Sequence, residues 1–155
     1  MPRSAPGRHS EKGSQVISPT GRVAPGSAGQ PAITWSRDFP GTPEQAGKAR
    51  RFLAAILDGR SAAGDAALCL SELVSNACLH SRSREPGGHF TVRAELSAKG
   101  LRVEVRDDGG PWVWPAEPDE HGRGLLIVGA LARAWGRAGD DSRRGWTVWF
   151  EMDAG

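Results

Sequence analysis

The run Ser71-Glu72-Leu73-Val74-Ser75-Asn76-Ala77-Cys78-Leu79-His80 decides how this chain is read. With Ala66, Cys69 and Leu70 just upstream, Leu73 and Ala77 recur at the spacing of one buried helical stripe, which predicts a helix from after Ser61 to about His80. Beside that stripe Glu72, Asn76 and His80 follow one another at intervals of four. At about 100° per residue they stay within about 80° of each other. A carboxylate, an amide and an imidazole aligned next to an apolar face are either a solvated flank or a row of working groups. Spacing alone does not choose between them, so the flanking sequence has to.

Upstream, Ile33-Thr34-Trp35 reads as a short strand ahead of the turn Phe39-Pro40-Gly41-Thr42-Pro43. Thr42 suits an N-cap, Pro43 the first helical position, and Gln45 the far end of a capping box, so a first helix is expected from Pro43 to about Leu57. Its apolar stripe holds Ala46, Ala49, Leu53, Ile56 and Leu57, and Asp58-Gly59 ends it. Residues 1–31 are rich in Pro, Gly, Ser, Ala and Arg with few large apolar side chains, the composition of a disordered tail. The folded domain is expected over residues 32–153.

Downstream, Pro86-Gly87-Gly88 interrupts the chain. Phe90, Val92, Ala94 and Leu96 then alternate with polar neighbours, as do Leu101, Val103 and Val105, which predicts two strands joined at Lys99-Gly100. Pro111, Pro115 and Pro118 make Asp108 to His121 a loop, and an apolar helix follows Gly124. Trp135 to Gly139 reads as a short strand, Asp140 to Arg144 as a turn, and Trp146 to Met152 as a last strand.

Three glycine-centred signals fall at the joints of this layout. Asp107-Asp108-Gly109 closes a strand, where a carboxylate can accept a hydrogen bond from an amino group such as that of adenine. Gly122-Arg123-Gly124 opens a helix, where bare backbone amides and the helix N-terminus can hold phosphate. Gly145-Trp146-Thr147 opens the last strand. Each alone is an ordinary turn or loop; their order is the informative part.

Composition narrows the class. The 155 residues have room for one domain, and the formal net charge is +2. Arg3, Arg8, Lys12, Arg22 and Arg37 face only Glu11 in residues 1–37, so the rest is close to neutral and lacks the concentrated basic face that nucleic acid requires. No direct nucleic-acid partner and no membrane are expected: no apolar run approaches the roughly 18 residues of a span, and the N-terminus lacks a secretory apolar segment. Cys69 and Cys78 lie about 13 Å apart along one helix, too far for a disulfide, which points to a reducing cytoplasm.

Taken together, SELVSNACLH, VEVRDDGG, HGRGLLIV and GWTVWF resemble the N box and the three glycine boxes of the GHKL, or Bergerat, ATP-binding domains, a family that includes gyrase, Hsp90 and the histidine kinases. The resemblance covers about Ile33 to Asp153. It implies an α/β fold, a two-layer α/β sandwich with a mixed, mainly antiparallel sheet covered on one face by three helices, and ATP with Mg²⁺ as cofactors. Glu72 would then be the general base, Asn76 the ligand to Mg²⁺, and Asp107 the reader of the adenine amino group. Gly109 would let the purine approach the backbone; Gly122 and Gly124 would flank the triphosphate, Leu125 would belong to the same cofactor-binding turn, and Thr147 would assist at the adenine. His80 matches a position often found in the family, with a structural role as the alternative, and Arg123 either touches phosphate or faces solvent.

The compact length, the opening FPGTPEQAGKARRFL and the short proline-containing lid look most like anti-sigma-factor serine/threonine kinases of the RsbW and SpoIIAB kind. That implies an anti-sigma-factor antagonist or a sigma factor as partner, and homodimers are common in that subfamily. A module that switches partners on ATP without phosphotransfer is the alternative. The chain departs from the family pattern where Pro111 follows Gly110 at the lid's first hinge, and where Trp112 and Trp114 stand in the lid as packing anchors, nucleotide cover or partner surface.

Overall fold

The computed structural model describes residues 31–110, 123–139 and 145–155. In chain order these form β1 (Ile33–Pro40), α1 (Gln45–Ile56), α2 (Ala63–His80), a 3-10 turn (Arg82–Arg84), β2 (His89–Ser97), β3 (Gly100–Arg106), α3 (Arg123–Leu131), β4 (Ala134–Ala138) and β5 (Thr147–Met152). The five strands make one sheet in the order β1-β2-β3-β5-β4, and every ladder is antiparallel. The three helices form the second layer. This is the expected two-layer α/β sandwich.

Strand alternation sets the two faces of the sheet. Val92 pairs with Val105 and Val103 with Phe150, so these side chains share the face toward the helices and are fully buried. Leu70, Leu73 and Val74 of α2 pack into the same core. On the open face the opposed residues are charged. Arg102 stands between Glu104 and Glu151 at 2.8 Å from each carboxylate, and its guanidinium lies 4.1 Å from the centre of the Trp149 ring. Residues of opposite charge directly across a ladder stabilise pairing and keep that face wet.

Two local expectations change. β1 continues through Ser36-Arg37-Asp38 to Pro40 instead of ending at Trp35. As the outer strand it has one solvent edge, which tolerates charged side chains and a terminal proline. Phe39 anchors its far end by stacking on Phe90, ring centres 5.3 Å apart. Helix α1 begins at Gln45, with no side-chain cap. The predicted capping box does not form, since Glu44 stands at the N-cap; the Glu44 backbone N–H, and after it the Thr42 hydroxyl, keep the Glu44 carboxyl below its usual pKa.

Among the described residues no helix is long and apolar enough to cross a membrane. Cys69 and Cys78 are free and buried inside α2. Burial pushes each thiol up to about 11.

Candidate functional site

Helix α2 supplies the first wall of the site. Its last three turns carry Glu72 and Asn76 half-buried and His80 exposed, the burial falling off as the helix emerges from the core. Glu72 and Asn76 are one turn apart, about 6 Å along the axis. The Asn76 Nδ2 atom is enclosed and, among the described residues, has no hydrogen-bond partner. A buried amide left unpaired costs about 1–3 kcal/mol, so it marks a place where an acceptor from a ligand would be welcome.

The second wall is the first turn of α3. A Cβ built on Gly124 would overlap the Glu72 carboxylate, with Glu72 Cδ 3.2 Å and Cβ 3.3 Å away. A larger residue there would have to displace the Glu72 side chain. Arg123 is exposed at the start of the helix, and Leu125 is buried and ties the turn to the core. The positive end of α3 therefore stands beside Glu72.

The third wall is the loop after β3. Asp107 Oδ1 accepts the Gly109 N–H at 2.7 Å and the Trp146 N–H at 3.0 Å, and the Asp107 N–H donates to the Trp146 carbonyl at 2.8 Å. Gly109 makes this turn with φ at 74°, in the left-handed region that favours glycine. Burial pushes the Asp107 carboxyl above the ordinary carboxylate range; the two N–H groups and the nearby Arg137 guanidinium oppose that rise, and Asp108 adds to it. Both N–H groups bond Oδ1, so Oδ2 is the oxygen that these two bonds leave open.

Sequence reading missed two contributors here. Arg137, on β4, pairs with Val148 of β5, hence faces the helices, and its guanidinium stacks 4.0 Å from the centre of the Trp146 ring. Its nearness to Asp107 follows from the order β3-β5-β4, which no local pattern carries. The backbone of Trp146 is the other, and it meets Asp107 where Thr147 was expected to act. Thr147 sits opposite Arg106 and Ala138, and with Val148 and Phe150 in the core the alternation turns it to the open face. That corrects the expectation that its side chain assists at the adenine.

The structure brings Glu72 against Gly124 and joins Asp107 to Gly109, leaves His80 and Arg123 exposed, and turns Thr147 away. Gly122, Trp112 and Trp114 lie outside the described residues, as do residues 1–30 of the expected tail and the turn Asp140 to Arg144.

Comparison with known families matches the histidine kinase-like ATPase domain to residues 39–151. The chain belongs to that family. A search of the curated proteins finds nothing that matches. Domains of the histidine kinase-like ATPase family bind ATP, usually with Mg²⁺, so the walls just described belong to an ATP-binding domain.

Among the described residues no group of three or more His, Cys, Asp or Glu is placed to hold a metal. A magnesium ion suits this donor set when it arrives with phosphates: Asn76 would give one side-chain amide contact, and nucleotide oxygens and waters the rest.

Proposed function

We propose that this protein is an anti-sigma-factor serine/threonine kinase of the cytoplasm, which uses ATP to phosphorylate an anti-sigma-factor antagonist and holds a sigma factor when that antagonist is absent. The observation that carries the reading is the approach of Gly124 to Glu72, because it sets a carboxylate beside the helix end that suits the phosphates. The resemblance of the compact chain and its opening to such kinases supports the partner class.

In this account Asp107 Oδ2 accepts the adenine 6-amino hydrogen and fixes the base. The backbone amides at the start of α3 face the phosphates. Glu72 orients a serine hydroxyl of the antagonist and takes its proton as the hydroxyl oxygen bonds to the γ-phosphorus; the bond from that phosphorus to the β–γ bridging oxygen breaks, and ADP leaves. Bound Mg²⁺, with Asn76 as its protein ligand, would supply charge neutralisation on the phosphates.

Incubation of the protein with Mg-ATP and a cognate antagonist tests this. Phosphate should appear on the antagonist, and Glu72→Ala should reduce transfer by about 100-fold or more while ATP still binds. Retained transfer in Glu72→Ala overturns the base assignment. ATP binding with no transfer to any antagonist favours a module that exchanges partners without phosphorylation.

A further inference from the structure

Two serines outside the motifs join the helix carrying Glu72 and Asn76 to the loop carrying Asp107. Ser81 ends α2 in an extended conformation, φ −123° and ψ 173°. Its hydroxyl donates to the carbonyl of Ala77, the residue after Asn76, at 2.7 Å and accepts the Ser83 N–H at 3.0 Å. Ser83 is 1% exposed, and its hydroxyl oxygen accepts the Asp108 N–H at 3.0 Å. Beside it the Arg82 N–H donates to the Gly109 carbonyl at 2.7 Å.

The loop is held from its other side as well, since Asp108 Oδ2 accepts the His89 N–H at 2.8 Å. The Ser83 bond reaches the loop through a side chain, whereas the Arg82 bond beside it is backbone to backbone. The Ser83 carbonyl is walled in, because a Cβ on Gly41 or on Gly88 would overlap it. On that side the turn has no room to shift and restore a lost contact. Removing the hydroxyl leaves the Asp108 N–H without its partner, and the loop then relaxes toward water with Asp107 in it.

We propose that Ser83 is a positioning residue for base recognition, setting the Asp107 carboxylate at a fixed place relative to Asn76 and Glu72. The proposal rests on the reading of Asp107 as the acceptor for the adenine 6-amino group. Ser83 touches no part of the nucleotide; it acts through the Asp108 peptide.

The test compares affinities for ATP and for inosine triphosphate, which carries a 6-oxo group where adenine carries the amino group. The unaltered protein should prefer ATP. Ser83→Ala should weaken ATP binding roughly five- to twentyfold and inosine triphosphate binding less than about twofold, so the preference collapses. A merely structural serine would move both affinities together. If Ser83→Ala fails to fold, Ser83→Cys carries the same comparison, since it nearly keeps the volume and has only a weak acceptor. An unchanged ratio overturns the role of Ser83 alone. Equal binding of both nucleotides by the unaltered protein also overturns it, whereas binding of neither nucleotide removes the ATP-site reading itself.

Discussion

The Glu72 carboxylate lies against Gly124 across α2 and α3, so that any side chain at residue 124 must push it aside. The contact joins the first turn of one helix to the carboxylate of the other. Its geometry gives function, rather than folding, the greater sensitivity to change at residue 124.

Gly124→Ala should therefore separate the two. Overpacking costs about 1–3 kcal/mol, while replacing a helical glycine by alanine returns roughly 0.5–1 kcal/mol. The melting temperature should fall by only a few degrees, and phosphate transfer by about tenfold or more as Glu72 swings aside. In a Glu72→Ala background the carboxylate overlap is gone and the 3.3 Å approach to the Cβ at residue 72 remains, so adding Gly124→Ala should lower the melting temperature less than it does in the unaltered protein. Thermal melts of the four proteins check this; an additive loss in the double variant contradicts the contact.

Asn76→Ala removes an amide whose Nδ2 is buried and, among the described residues, without a hydrogen-bond partner. The unliganded protein should be at least as stable as before, because an unpaired buried donor costs about 1–3 kcal/mol and alanine is the better helix former. Nucleotide binding should lose its dependence on magnesium. Melts without ligand and titrations with and without the ion measure the two effects, and a large drop in unliganded stability would show that the amide serves the fold.

The Asp107 carboxyl, raised by burial, makes a signed prediction. The folded state holds this proton more tightly than the unfolded chain does. Stability from this group is thus greatest below the unfolded value, near 4, and falls as pH climbs through the raised folded value. Asp107→Asn should remove that fall and leave the neutral-pH protein no less stable. ATP affinity should drop roughly 10- to 100-fold, the scale of one hydrogen bond to a charged acceptor. In the unaltered protein, affinity for ATP should weaken as acid protonates Asp107. An affinity flat across that range, or unchanged in Asp107→Asn, contradicts the base-reading role.

Cys69 and Cys78 should behave as inert apolar side chains. Both are buried and their thiols lie at about 11, so the thiolate is scarce at neutral pH. A thiol reagent should label neither residue until the protein unfolds, which a titration in denaturant follows; rapid labelling of native protein would contradict the packing of α2.

Much of this architecture is legible in local sequence because local periodicity encodes it. The spacing of Ala66, Leu70, Leu73 and Ala77 gives α2, and alternation about Val92 and Val103 gives the β2–β3 hairpin. Glu72 and Asn76 share a stripe for the same reason. Contacts made between distant elements are silent in such patterns. The face taken by Thr147 depends on its register with Arg106, and the place of Arg137 depends on β4 lying outside β5. The turn through Ser81 and Ser83 is built from side-chain bonds to backbone that have no period. The far half of β1 reads as polar and proline-ended, which an edge strand accepts.

Calorimetric titration of the full chain with ATP, with and without magnesium, tests the core of this account most directly. A single magnesium-dependent site that Asp107→Asn weakens is the predicted result. Folded protein that takes up no ATP in either condition would contradict it.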